Sequence, residues 1–149
     1  MTIRTVTYEK ISQIWAEYLW VDRKSPIESH SAMLLSLEYT LENFNFPATY
    51  LGAFVDDQLV GVNSGHRCSD NTYRSRGLYV FPEYRNMKIG KKLLLATIEQ
   101  AKQEQCYLIW SYPRRSSWKV YESVGFELIS EWEPGEIEEN AYCKLEITH

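Results

Sequence analysis

The sequence predicts an α/β (α+β) chain: a mixed, mostly antiparallel central sheet with helices on both faces and one parallel strand pair at its centre. Three observations carry this. Strand-like runs come in pairs separated by turn residues, a long amphipathic helix interrupts them, and a strand–helix–strand unit spans Leu78 to Trp110. Such a unit implies parallel strands joined by a right-handed crossover, whereas short turns imply antiparallel neighbours.

The elements follow in order. Ile3 to Val6 alternates weakly and opens the chain as a short strand. Ile11, Ile14, Trp15, Tyr18 and Leu19 recur at helical spacing until Ser25-Pro26 breaks the pattern. A second helix is predicted from about Ser29, burying Met33, Leu34, Leu37, Leu41 and Phe44 and ending before Pro47. Thr49–Val55 and Leu59–Val62 flank Asp56-Asp57-Gln58 as a β-hairpin. The polar stretch Cys68–Asn71 leads into a strand at about Arg74–Val80. A helix from Met87 or Lys88 to about Gln105 carries the stripe Ile89, Leu93, Leu94, Thr97, Ile98 and Ala101, with Asn86 as its candidate cap. Tyr107–Tyr112 is a short apolar strand with Pro113 beyond it. Ser116–Val124 is a short helix stopped by Gly125, and strands at Phe126–Trp132 and Ala141–Ile147 flank a Pro134-Gly135 turn and an acidic loop.

The 149 residues read as one domain, 1–149, with no repeat, low-complexity tract or linker. An apolar fraction of 44% with 24% charged residues is ordinary for a soluble domain. The net charge of −4 argues against a general nucleic-acid or anionic-membrane surface, because such binding rests on neutralising phosphates. No apolar run approaches the roughly 20 residues that span a bilayer, and MTIRTVTYEK lacks the apolar core of a signal peptide. Cys68, Cys106 and Cys143 are odd in number and form no C-x-x-C pair, which argues against a disulfide framework or a zinc site and for a cytoplasmic setting.

The stretch RGLYVFPEYRNMKIGKK, from Arg76 to Lys92, is the most informative in the chain. A strand meets Pro82 and then opens a helix whose first amide N–H groups have no intrahelical partner and face a partial positive charge. Arg85, Lys88, Lys91 and Lys92 cluster at the same end, so a diphosphate is the natural guest.

With the element order and the later segment YESVGFELI at 121–129, this turn resembles the GNAT superfamily, the GCN5-related acetyltransferases. That family's turn, Q/R-x-x-G-x-G/A, is matched by Arg85-Asn86-Met87-Lys88-Ile89-Gly90, its V-x-P-x-x-R context by Val80, Pro82 and Arg85, and its Y-E-x-x-G-F by Tyr121, Glu122, Gly125 and Phe126. The resemblance implies acetyl-CoA as co-substrate, with the diphosphate on the amides of Arg85, Asn86, Met87, Lys88, Ile89, Gly90 and Lys91. It also implies a splayed strand at Leu78, Tyr79 and Val80 that receives the pantetheine arm and polarises the thioester. Tyr121 matches the tyrosine that protonates the leaving thiolate; its other reading is an aromatic packed in the core with its hydroxyl at a rim. Two positions depart from the family pattern. Lys88 stands where the turn has its first glycine, and Arg114 stands where relatives carry an asparagine against pantetheine.

The resemblance therefore implies an N-acetyltransferase acting by direct transfer on an amine of a small molecule or of a peptide or protein. A catalytically silent acyl-CoA-binding or regulatory module on the same fold is the alternative, and a domain that no longer binds coenzyme A is a third. No general base stands out. His66 has a suitable intrinsic pKa, but a lone histidine is more often structural; Glu83 reads better as an exposed or capping carboxylate, and water can carry the proton. Arg74 and Arg76 share a parity with Leu78 if the strand is regular, and read first as a solvated strand end, second as an attractor for an acidic acceptor. Trp15, Trp20, Arg23, Glu28 and His30 are available to an acceptor groove, while Trp118 and Trp132 read as packing residues. Apolar edge strands between Phe126 and Ile147 would need cover, for which a homodimer is one arrangement.

Overall fold

The computed structural model describes residues 1–149. Seven strands form one sheet: β1 (Thr2–Thr5), β2 (Ala48–Val55), β3 (Gln58–Arg67), β4 (Tyr73–Val80), β5 (Leu108–Ser111), β6 (Glu127–Leu128) and β7 (Cys143–Glu146). Their order is β1-β2-β3-β4-β5-β7-β6. Every neighbouring pair is antiparallel except β4 and β5, which lie parallel at the centre. The predicted mixed sheet with a central parallel pair is the one observed.

Helix α1 (Tyr8–Ile14) continues into a π-helical turn, Trp15–Leu19, and packs Ile11, Trp15 and Leu19 on one face of the sheet against Val62, Tyr79 and Phe81. On the other face, α2 (Ile89–Gln103) buries its predicted stripe, with Leu94 and Ala101 against Tyr73, Ile109 and Phe126 and with Ile89 and Leu93 against Val60 and Ala53. Helix α3 (Trp118–Ser123) adds Tyr121 to that core. The β2–β3 hairpin closes through Asp56 and Asp57, both at positive φ, a two-residue turn whose twist suits antiparallel strands.

The predicted helix over 29–44 is absent. The chain instead turns back on itself, with a bridge between Met33 and Tyr39, Leu37 at φ 72° and only a short 3₁₀ turn at Leu41–Asn45. The helical spacing of its leucines does not mark a buried stripe, since Leu37 and Leu41 are 57% and 63% exposed. Polar side chains supply what a helix would have supplied. Fully buried Asn43 donates to the carbonyls of Ser31 and Met33 and accepts from the Ser69 amide, and Thr40 caps the 3₁₀ turn by accepting from the Glu42 amide. Such local side-chain bonds compete with a helical ladder.

The strand expected at Phe126–Trp132 is cut to Glu127–Leu128. Past Ile129 the Ser130 hydroxyl, not a ladder carbonyl, accepts from the Tyr142 amide. The edge is thus two residues long, and the unpaired backbone that suggested a second copy is correspondingly small.

Candidate active site

The site begins where β4 and β5 part. They pair only at Tyr73–Ile109 and Arg74–Trp110, and the Ser111 hydroxyl closes the vertex by donating to the Ser75 carbonyl at 2.7 Å. Beyond this point β4 runs on to Val80 with β3 on one side and no strand on the other. The Phe81 amide donates to the Val60 carbonyl of β3, so by strand alternation the amides of Leu78 and Val80 face away from β3 into the split. The Val80 carbonyl does too, and it accepts from Arg85 Nε at 2.9 Å.

A bulge in β4 sets which side chains meet there. Ser64 pairs with Arg76 and Val62 with Tyr79, leaving Gly77 and Leu78 opposite the single residue Asn63. Gly77 sits at φ +82°, and its carbonyl accepts from Trp15 Nε1 at 2.9 Å. The extra residue flips the pattern. Tyr73, Ser75, Leu78 and Val80 face α2, whereas Arg74, Arg76, Tyr79 and Phe81 face the α1 side. The expectation that Arg74 and Arg76 share a face with Leu78 at a solvated strand end is therefore corrected. Arg76 is only 6% exposed.

At the mouth of the split lies the turn into α2. Arg85 is extended, Asn86 takes φ 66°, and Lys88 takes φ 62° as the residue that begins the helix. Asn86 is thus not the cap. Lys88 holds that position in the left-handed conformation and no side chain caps the helix, so its first amides stay open to an anion. The turn keeps a glycine-like backbone with a lysine in it. Arg85, Asn86, Met87 and Lys88 are exposed, whereas Ile89 and Gly90 are buried. A Cβ on Gly90 would come within 3.3 Å of Val120, which ties the helix start closely to α3. The Lys91 side chain is half-buried in the first turn.

Tyr121 stands at the deep end, 2% exposed, its ring edge-on to Phe126 at 5.4 Å. It lines a narrow cleft of about 60 Å³ with Gly77, Leu78, Ser111 and Arg114. Burial above all, with the Cys143 thiol beside it, pushes its phenol well above the ordinary tyrosine range, so it holds its proton at any working pH.

The cleft widens into a cavity of about 790 Å³. Trp20, Arg23, Glu28 and His30 line it as expected, but Trp15 does not: it is fully buried beneath the Gly77 bulge. Arg114, Tyr112, Asn140 and Tyr142 line it too, the last three without a motif or spacing that marks them. Asn140 is held there by backbone bridges to Glu133 and Arg114 and by its side chain, which donates to the Tyr112 carbonyl. Arg114 donates to the Leu19 carbonyl at the end of the π-helical turn and so links that turn to the start of the α3 region.

The histidines are not free bases. The Ser31 amide donates to His66 Nε2, so Nδ1 carries the proton and donates to the Arg67 carbonyl. His30 has the other tautomer, with Nε2–H donating to the Phe46 carbonyl and Nδ1 accepting from Ser29. The rings lie 4.8 Å apart. Burial drives the His66 pKa from 6.5 down to about 3, with His30, Arg74 and Arg76 adding to the effect. An unfolded chain therefore takes up this proton below 6.5 while the folded one does not, and stability is drawn down as pH falls from 6.5 towards 3. Ring ¹⁵N shifts of His66 should show a neutral Nδ1–H tautomer unchanged from about pH 7.5 to about pH 5. A midpoint inside that range would show a titrating, base-competent ring.

No helix is long and apolar enough to cross a membrane. The model of the acetyltransferase (GNAT) family matches residues 12–126 of the chain. Among solved structures, a GNAT-family acetyltransferase from Staphylococcus aureus Mu50 is 21% identical, with a TM-score of 0.68 and 99% of each chain covered. A ribosomal-protein-alanine N-acetyltransferase from Brucella melitensis is 18% identical, with a TM-score of 0.68 over 98% of this chain and 99% of that one. An aminoglycoside 6′-N-acetyltransferase complexed with coenzyme A is 14% identical, with a TM-score of 0.71 over 100% of this chain and 98% of that one. At such identities the likeness is one of fold. No curated protein matches the chain.

Proposed function

Because the chain belongs to the acetyltransferase (GNAT) family, we propose that it is an acetyl-CoA-dependent N-acetyltransferase that moves the acetyl group directly to an amine of a small molecule or of a peptide or protein. The observation that carries this reading is the split between β4 and β5, with open amides along one wall and a protonated phenol at its deep end.

The Arg85 amide is taken by the Pro82 carbonyl, so in this reading the open amides from Asn86 to Lys91 hold the diphosphate, with the Arg85 and Lys88 side chains as cations at the rim. The split takes the pantetheine arm as an additional strand, and the backbone N–H of Leu78 or Val80 donates to the carbonyl oxygen as negative charge grows on it. A neutral amine enters from the wide cavity and forms the C–N bond as the C–S bond breaks. Tyr121 gives its proton to the departing sulfur and is reprotonated from solvent. The amine's surplus proton leaves through water, since no carboxylate lines the narrow cleft and both nearby imidazoles are fully bonded.

Calorimetric titration tests the reading. Acetyl-CoA should bind in the micromolar range and S-acetylpantetheine, which lacks the diphosphate, far more weakly. Equal affinities would take the Arg85–Lys91 turn out of the site. Tight binding without thiol release across a broad amine panel would indicate a silent acyl-CoA-binding module instead.

A further inference from the structure

The wide cavity carries more positive charge than its walls neutralise. Its lining includes Arg23, Arg74, Arg76 and Arg114 against the carboxylates of Glu28 and Glu136. Arg23 pairs with Glu136 at 3.8 Å. No carboxylate lies within ion-pairing distance of the other three: the chain's ion pairs are Arg4–Asp57, Arg23–Glu136 and Arg115–Glu139. Arg114 gives one N–H to the Leu19 carbonyl and is more exposed than Arg76. Arg76 gives one N–H to the backbone carbonyl of Glu28 at 2.7 Å, and Arg74 gives Nε to the Ser75 carbonyl at 3.1 Å. Their remaining N–H groups have no partner in the protein. Burying a guanidinium without a counter-charge is costly, and a site keeps one where a ligand supplies the missing anion.

Aromatic planes fix how the two cations are presented. Arg74 lies over Trp110 at 4.5 Å, and Arg76 lies 5.1 Å from the Trp15 ring and 4.9 Å from that of Trp20. The indoles flank the guanidiniums without accepting their N–H groups, and those not given to a carbonyl remain for a planar carboxylate. Burial, with Arg74 and Arg23 nearby, lowers the Arg76 pKa to about 9, as expected for a positive charge that lacks its partner. Both residues also line the narrow cleft, and Arg76 immediately precedes the Gly77–Leu78 bulge. An anion held there sits beside the strand whose amides face the thioester.

Resting on the acetyltransferase reading above, we infer that the acceptor is a small amino-carboxylate, bound through its carboxylate by the unpaired guanidiniums of Arg74 and Arg76 with its amine directed into the narrow cleft. Polyamines and other polycationic amines are repelled by the same charge.

The test compares kcat/KM for a panel of amino acids with that for their carboxamides and for polyamines, alongside calorimetry with N-acetyl amino acids as product probes. Free carboxylates should win over their amides. Arg76→Gln should lower kcat/KM for a carboxylate acceptor by about 10- to 100-fold, mostly through KM, and bring the acid-to-amide ratio near one. Arg76→Lys, which keeps the charge and loses the planar edge, should recover only part of this. Both variants should still bind acetyl-CoA like the parent, which shows that they fold, and N-acetyl amino acids should lose heat of binding in Arg76→Gln.

Amides or polyamines that outperform free acids while acetyl-CoA binds normally would overturn the inference and leave the acetyltransferase reading standing. Phosphoethanolamine outperforming every carboxylate would overturn the choice of anion. No acetyl-CoA binding by the parent would instead remove the reading on which the inference rests.

Discussion

Tyr121→Phe is expected to lower kcat by about 10²-fold or more while leaving acetyl-CoA affinity and thermal stability close to those of the parent. The ring is part of the α2–α3 core, packed edge-on to Phe126 and 2% exposed, and phenylalanine keeps that packing. What disappears is a hydroxyl at the end of the split, beside Gly77, Leu78 and Ser111. Burial holds its proton in place, so a leaving thiolate would find a donor at any working pH. Without it the sulfur departs unprotonated or waits for water. Steady-state turnover with any accepted amine reads the effect, and a variant with full kcat would reduce Tyr121 to a packing residue.

The second large effect is expected from Gly77→Ala. A Cβ at this position would lie 2.3–2.5 Å from atoms of the Trp15 indole, and the backbone sits at φ +82°, where a side chain is strained in any case. Trp15 cannot step aside, since it is fully buried and bonded to the Gly77 carbonyl. The left-handed conformation and the overpacking together should cost about 2–5 kcal/mol. The urea midpoint measures this. Because the bulge also aims the Leu78 amide, any folded fraction should bind acetyl-CoA more weakly. An unchanged midpoint would mean that β4 accommodates a regular register and that the bulge does not define the site.

These two residues differ in how visible they are from the sequence. Tyr121 is legible through the Y-E-x-x-G-F pattern, as is the basic turn through its strand–proline–helix context. The α2 stripe was equally plain, because a long helix packed on a sheet leaves its period in the chain. A lone glycine in a strand only hints at a bulge, and the bulge decides which face Arg74 and Arg76 occupy. The two arginines do share a face, but the extra residue at Gly77–Leu78 breaks their register with Leu78. The segment 29–44 failed for another reason. Its shape depends on Asn43 reaching Ser31, Met33 and Ser69, and on Ser31 donating to His66, contacts that no local window contains. The arginines of the cavity were visible as letters; their lack of partners is a property of the tertiary structure.

The wall of the wide cavity has a consequence for how the protein breathes. Sheet and α2 stand on continuous ladders, whereas the wall from Trp20 to Pro47 is held by the packing of Met33, Leu34 and Leu35 beside Trp110 and by side-chain bonds. Among them are Tyr8 to the Ile27 carbonyl, Asn43 to Ser31 and Met33, and Arg76 to the Glu28 carbonyl. Such a segment is expected to open below the free energy of global unfolding, and amide exchange across 20–47 reads this. It can therefore part to admit an acceptor or release a product while β4 and the α2 turn stay ordered. Arg76 belongs to both structures at once, fastened to the wall through Glu28 and presented to the cavity by its free edge. An anion bound at Arg76 is therefore expected to steady the wall as well.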